Sequence, residues 1–155
     1  MTGTQPTPHP AAAAAAAGFA RVTDAPLDVN EHVAAVTTNA CGAVVTFIGQ
    51  VRDHDPDAVN RVVGLEYSAH PDAERIIGEI AERMRAKHPL VNLAVSHRIG
   101  RLDVGDLALV AAAASAHRAV AFAACEDLVE TVKAEVPVWK KQHEIDGATS
   151  WVGLV

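Results

Sequence analysis

Cysteine is scarce in this 155-residue chain, and the two cysteines lie far apart in the sequence. Cys41 and Cys125 form no C-x-x-C pair, which excludes a disulfide framework and a cysteine-rich zinc site. We expect both thiols to be free, as is usual in a reducing cytosol.

Positive charge and long apolar runs are also in short supply. Lysine and arginine total 13 against 19 acidic residues, a formal net charge of −6, which argues against general binding to nucleic acids or anionic membranes. Residues 107–114, the longest uncharged apolar run near the predicted core, fall well short of the roughly 18 residues of a membrane span. No lysine or arginine precedes Arg21, so a secretory signal would lack its charged start. These absences predict a cytoplasmic protein without a transmembrane helix.

Apolar residues make up half of the chain, which is enough to form the core of one domain. Residues 1–18 differ from the rest, because they combine prolines with a run of alanines and contain no lysine, arginine or acidic residue. This composition predicts a flexible extension. The predicted folded domain is residues 19–155.

The apolar patterning predicts the element order β-α-β-β-α-β-β-α-β-β. Pro89 and Pro137 should end the second and third helices, and Ser115 should cap the start of the third. The Asp146-Gly147 pair predicts a hairpin with a two-residue type I′ turn. Because several neighbouring strands have no crossover helix between them, we expect a mixed sheet and an α+β fold.

The sequence contains no motif for a nucleophile, a resident metal or a nucleotide. It has no G-x-S-x-G elbow and no P-loop, and its histidines lack the spacing of metal ligands. Residues 53–57 open like a calcium loop, but Ala58 and Gly64 stand where a glycine and a glutamate are needed. A solvated acidic loop is the simpler interpretation.

Positive side chains nevertheless stand at informative positions. His117 and Arg118 follow a predicted strand at the start of a helix, where free N–H groups favour an anion; a solvated first turn is the alternative. Lys140 and Lys141 are neighbours on a predicted strand and should point to opposite faces, so one can enter a pocket. A lysine in such a pocket can transfer a proton or stabilise developing negative charge, although a surface charge is the simpler alternative. Arg52 is either a third anchor or an ordinary loop charge.

Helix geometry separates two of these groups. His117 and Lys133 stand at opposite ends of one predicted helix, roughly 24 Å apart. A single metabolite does not easily reach both ends. If both residues serve one site, a second copy of the chain must complete it, as in a symmetric dimer.

Several short segments carry a family resemblance. They are residues 42–52 (GAVVTFIGQVR), 97–100 (HRIG), 105–106 (GD), 115–118 (SAHR), 133 (K), 137–141 (PVWKK) and 151–152 (WV). In this order and spacing they resemble the catalytic (large) subunit of molybdopterin synthase, the MoaE family. Each segment alone is weak, but the set covers about residues 40–152 and is highly specific.

This resemblance implies a hammerhead-type α/β fold with an additional antiparallel β portion, and a central homodimer. It also implies a sulfurtransferase. A small ubiquitin-like carrier of the MoaD type inserts its thiocarboxylated C-terminal Gly-Gly into each large subunit, which makes a heterotetramer with two carriers. The sulfur passes to cyclic pyranopterin monophosphate (precursor Z) and forms the dithiolene of molybdopterin, in molybdenum cofactor biosynthesis. No cofactor or metal of the subunit itself is implied.

The resemblance further implies residue roles. Lys140 is the first candidate for the catalytic group and Lys133 the second, with Phe47 as a wall of the pocket. His117 and Arg118 are expected to come from the dimer mate. The implied substrate-binding residues are Gln50, Val51, Arg52, His117, Arg118, Lys133, Lys140, Lys141 and Gln142.

Two other functions remain open at this point: a non-catalytic module of the same fold that binds a phosphorylated ligand or the carrier tail, and a generic dimeric scaffold. The presence of both lysines favours the enzyme. Two features depart from the family pattern. Residues 1–18 have no counterpart in it, and the chain ends at Val155, soon after Trp151. A C-terminal extension is therefore expected to be short or missing.

Overall fold

The computed structural model describes residues 18–153, which form three helices and eight strands. In chain order these are β1 (Ala20–Thr23), α1 (Val29–Val36), β2 (Ala43–Gln50), β3 (Val62–Ala69), α2 (Ala73–Lys87), β4 (Asn92–Arg98), β5 (Gly100–Asp103), β6 (Leu107–Ser115), α3 (Arg118–Glu135), β7 (Val138–Glu144) and β8 (Thr149–Gly153). Residues 1–17, nearly all of the predicted extension, lie outside the described range.

The first sheet has the strand order β1-β4-β6-β2. Strand β1 runs parallel to β4, whereas the other two pairs are antiparallel, so the sheet is mixed. Helices cover both of its faces, and the side chains of β6 therefore alternate between two cores. Ala111 and Ala113 pack in the core that α2 and α3 cover, and Ala112 and Ala114 pack with Val36 of α1.

The second sheet, β5-β3-β7-β8, is antiparallel throughout. It has a smaller core of its own, formed by Val51, Val62, Leu65, Leu102 and Ala108. A mixed sheet covered by helices, joined to an antiparallel portion, confirms the predicted α+β class.

Strand β5 is missing from the element order predicted from the sequence. Gly100 adopts φ +87°, a conformation that glycine reaches without strain. There the chain leaves β4 in the first sheet and pairs with β3 in the second, with Leu102 opposite Leu65. The alternation of apolar residues does not reveal a bend of this kind. The sequence therefore predicted one strand here, whereas the chain forms two, β4 and β5.

Two predicted local motifs are also wrong. Ser115 does not cap α3, because it pairs with Ala43 inside the first sheet and is buried. The β7–β8 turn is not a two-residue type I′ turn, because only its glycine has a positive φ. The N–H of Gly147 donates to the carbonyl of Glu144 at 3.0 Å. This bond closes a type I turn that ends at Gly147, the residue with the left-handed conformation. The predicted helix ends are confirmed, since α2 and α3 both end shortly before a proline.

Candidate active site

A cavity of about 380 Å³ lies where the two sheets meet the C-terminal end of α3. The first sheet contributes β2, β4 and β6, and the second contributes β3 and β7. Apolar walls with a few convergent polar groups are typical of a ligand site. The lining residues are Phe47, Gly49, Gln50, Val51, Arg52, Asp55, Leu65, Tyr67, His97, Ala108, Leu109, Val132, Lys133, Val136, Lys140 and Gln142.

The register of β7 against β3 turns Lys140 into this cavity. Lys140 lies directly opposite Tyr67, so their side chains share one face of the second sheet. Lys141 points to the other face, where its ammonium lies 5.5 Å from the centre of the Trp151 ring. The two lysines therefore face opposite ways, and the structure does not bring Lys141 into the cavity.

Asp55 approaches Lys140 from the loop between β2 and β3. Its Oδ2 accepts a hydrogen bond from Lys140 Nζ at 3.2 Å, and the two side chains are only 12% and 19% exposed. Burial on its own raises the pKa of Asp55, but the N–H of Asp57 and the Lys140 ammonium outweigh it and hold this pKa below its ordinary value. The prediction of a solvated acidic loop is therefore wrong for Asp55, although Asp53 and Asp57 are exposed.

Gln142 lies two residues beyond Lys140 on the same face of β7. Its side chain is fully buried, and its amide interacts closely enough with the Asp55 carboxylate to help lower the pKa of Asp55. Neither the nitrogen nor the oxygen of its amide completes a hydrogen bond of normal geometry within the described residues. Because an unpaired buried amide is costly, a ligand that offers both a donor and an acceptor would be stabilised here.

Tyr67 and His97 form the part of the wall next to Lys140. Burial and the negative charge of Asp55 raise the pKa of Tyr67 to about 12, so the phenol keeps its proton. The ring of Tyr67 meets that of His97 edge to face, with centroids 5.0 Å apart. His97 Nδ1 donates to the carbonyl of Arg98 at 2.8 Å, which leaves Nε2 as an acceptor.

Lys133 reaches the cavity from the last turn of α3. A cation is favoured there by the dipole of the helix. Burial lowers the pKa of His97; the hydrogen bond to Arg98 opposes this effect, and the positive charge of Lys133 reinforces it. The result is a neutral imidazole beside a site that collects positive charge.

The end of β2 completes the cavity with Phe47, Gln50, Val51 and Arg52. A register shift interrupts the pairing of β2 with β6 at this point. The N–H of Val51 donates to the carbonyl of Asp106 at 2.9 Å, which ties the segment to the turn before β6. Val51 is buried, whereas Arg52 is exposed although it lines the cavity, which places it at the opening.

His117 and Arg118 lie at the other end of α3. His117 occupies the N-cap position, Arg118 is the first helical residue, and both are exposed. Because α3 is one continuous helix, these residues stand roughly 24 Å from Lys133. Within one chain the structure does not bring them to the cavity.

Three polar side chains of the cavity were missed in the sequence analysis: Asp55, Tyr67 and His97. Asp55 stood in the segment considered for calcium, and its partner Lys140 is 85 positions away. His97 belongs to the HRIG segment, but no pattern indicated a role for it. Tyr67 could have been found from the strand pairing, since it is the cross-strand partner of Lys140.

Two further observations concern metal ligands and membrane-spanning helices in residues 18–153. Among residues 18–153, no three histidine, cysteine or acidic side chains are grouped so that they could hold a metal ion. No helix in the same range is long and apolar enough to cross a membrane.

Comparison with known proteins agrees with the resemblance. The family described as MoaE protein matches residues 22–135. The molybdopterin synthase catalytic subunit 1 of Mycobacterium tuberculosis is 43% identical over 136 residues, which cover 87% of this chain and 90% of the relative.

Solved structures share the fold. The crystal structure of molybdopterin synthase from Staphylococcus aureus is 32% identical, with a TM-score of 0.80, over 86% of this chain and 96% of that one. A complex of subunits 1 and 2 of the molybdopterin-converting factor from Helicobacter pylori has a TM-score of 0.64 at 18% identity, over 86% and 88% of the two chains, and shows the fold alone. The family predicted from the sequence is confirmed: the chain belongs to the MoaE family, the family of the molybdopterin synthase catalytic subunits.

Proposed function

We propose that this chain is the sulfur-transferring subunit of a molybdopterin synthase. Its substrates are the thiocarboxylated C-terminus of a small ubiquitin-like carrier and cyclic pyranopterin monophosphate, and its product carries the dithiolene of molybdopterin. The observation that supports this most directly is the cavity, in which Arg52, Lys133 and Lys140 converge between apolar walls. That is the charge pattern required by a phosphorylated, anionic substrate.

The cavity supplies charge but no sulfur. None of the described residues that line it is a cysteine or a serine. Cys125 packs in the main core, where burial raises the pKa of its thiol to about 11, so it is a poor nucleophile. A partner must therefore bring the sulfur, and a thiocarboxylate at the end of an extended tail can do so.

Each cationic residue then has a role. Lys140 is the proposed catalytic group. Once the sulfur has bonded to the substrate, the Lys140 ammonium can stabilise the oxyanion that forms when water attacks the resulting thioester, which frees the carrier carboxylate and leaves the sulfur on the substrate. Lys133, which lines the same cavity from α3, is the second catalytic candidate. Phe47 forms an apolar wall, and the remaining contacts of the substrate within this chain are Gln50, Val51, Arg52 and Gln142.

We further propose that the working enzyme is a homodimer with two bound carriers, located in the cytoplasm. His117 and Arg118 of a second copy would complete each cavity and hold the phosphate or the pterin. Lys141 has no place inside the cavity of its own chain. The alternative, a non-catalytic binding module, is not favoured, because the similar protein of Mycobacterium tuberculosis is a catalytic subunit.

Reconstitution tests this proposal. Purified protein is mixed with thiocarboxylated carrier and cyclic pyranopterin monophosphate, and the dithiolene product is measured for wild type, Lys140→Ala and the control Lys87→Ala. Lys87 does not line the cavity, and its largely exposed side chain pairs with Asp127 of α3. We expect Lys140→Ala to lose about 100-fold or more in turnover, with its fold and carrier binding retained, and Lys87→Ala to match wild type. A folded wild type that binds carrier but makes no product would support the binding module instead.

A further inference from the structure

Asp55 is the one carboxylate among the described residues that line the cavity. The other formally charged side chains there are Arg52, Lys133 and Lys140. A negative charge in this place repels an anionic phosphate, so binding of the phosphate does not explain Asp55. Its contacts indicate another role.

The two oxygens of the Asp55 carboxylate have separate partners. Oδ1 accepts a hydrogen bond from the backbone N–H of Asp57 at 2.9 Å. Oδ2 accepts the hydrogen bond from Lys140 Nζ at 3.2 Å. The backbone of the loop thus orients the carboxylate, and the carboxylate orients the ammonium.

The loop that carries Asp55 is held without the help of Lys140. The buried carboxylate of Glu144 accepts a hydrogen bond from the N–H of Val59 at 2.9 Å. Asn60 Nδ2 donates to Asp146 at 2.8 Å, so the loop is fixed to the β7–β8 turn. Asp55 is therefore a fixed point against which a long, flexible lysine side chain can be held.

We propose that Asp55 is a positioning residue that holds the Lys140 ammonium at one place in the cavity. This inference rests on the proposed function, because it assigns the ion pair to the group proposed for catalysis. Removing the carboxylate frees four side-chain torsions of Lys140, and misplacement of a catalytic group by about 1 Å can cost about 100-fold in rate. The tail of the carrier and the pterin still bind, since their other contacts remain.

The kinetic test compares three variants in the reconstituted reaction with saturating carrier. We expect Asp55→Asn to lower kcat about 10- to 100-fold while KM for the pterin stays within about threefold. Asp55→Glu should recover part of the loss. Asp57→Asn is the matched control in the same loop: its side chain is exposed, and its N–H to Asp55 is kept, so we expect wild-type kinetics.

A second measurement does not depend on turnover. The chain has four lysines, so nitrogen NMR of the labelled ammonium groups can resolve each of them, and Lys140→Arg identifies the Lys140 signal. We expect a signal with slow proton exchange for Lys140, retained in Asp57→Asn and Asp55→Glu and lost in Asp55→Asn.

These outcomes separate the possibilities. An Asp55→Asn variant with unchanged kcat and an unchanged Lys140 signal overturns the positioning role. So does a variant with lower KM and undiminished kcat, since Asp55 would then only compete with the substrate. If Asp55→Asn and Asp57→Asn lose kcat and unfolding midpoint equally, the loss of kcat comes from a less stable loop, and the positioning role is overturned. If the wild type makes no product, the proposed function fails, and the NMR signal alone decides whether Asp55 holds Lys140.

Discussion

The two ends of helix α3 both carry cationic or titratable side chains, but they lie in different surroundings. At the C-terminal end, Lys133 enters a cavity walled by both sheets and lies near the buried His97. At the N-terminal end, His117 and Arg118 are exposed to solvent. The C-terminal end of α3 thus forms part of a cavity of its own chain, whereas the N-terminal end exposes its polar side chains to solvent. Under the proposed function, each chain carries two unequal parts of a site, and a second copy of the chain would join them.

The largest effect is expected at the C-terminal end. Lys133→Ala should lower kcat about 100-fold, because it removes one of the positive charges that line the cavity. Steady-state kinetics with saturating carrier measures this effect, and far-ultraviolet circular dichroism checks the fold. A kcat within about threefold of wild type would show that the cavity end of α3 does not take part in the chemistry.

A smaller effect of another kind is expected at the N-terminal end. Arg118→Ala should raise KM for the pterin about 10-fold with kcat nearly unchanged. A charge-assisted hydrogen bond made by an exposed side chain contributes about 1.5 kcal/mol, the lower end of its usual range, and this corresponds to about tenfold. The same kinetic series separates the two constants. A normal KM would count against the proposed role of Arg118 in holding an anion.

The smallest effect concerns stability and pH. Burial lowers the pKa of His97 in the folded chain below its ordinary value. At a pH between the folded and the unfolded pKa, His97 therefore binds a proton in the unfolded chain but not in the folded chain. Stability should therefore fall as the pH drops below about 6.5. Urea unfolding at about pH 7.5 and about pH 5.5 measures this loss.

The His97→Gln variant should lose less stability between the two pH values than wild type, although the buried His32, whose pKa burial also lowers, retains part of the effect. The comparison variant is His117→Gln, at the exposed end of α3. An equal acid sensitivity in His97→Gln and wild type would show that His97 does not set it.

Much of this arrangement follows from local sequence. Alternation along a strand predicts that Lys140 and Lys141 face opposite ways, and Pro137 marks the end of α3 beside the cavity. These features depend on neighbours in the chain and on the backbone period, so the sequence contains them directly.

The missed features depend on contacts between distant residues or on single backbone torsions. The pairing of Asp55 with Lys140 joins the β2–β3 loop to β7, and no local pattern in either segment indicates it. The bend at Gly100, which creates β5, depends on a single backbone torsion. Neither the helical nor the strand periodicity of apolar residues indicates such a torsion. Ser115 has the residue type of a helix cap, but its pairing in the first sheet outweighs that preference.

A complementation experiment tests most directly whether the two ends of α3 serve one site in different chains. Lys133→Ala and Arg118→Ala proteins are mixed, allowed to exchange subunits, and assayed at a pterin concentration well below the KM of Arg118→Ala. In a mixed dimer, one cavity keeps its own Lys133 and receives Arg118 from the other chain. Random pairing then restores about one quarter of the wild-type sites. Activity near that level supports the shared site, whereas activity equal to the average of the two variants measured separately would place both residues in the site of a single chain.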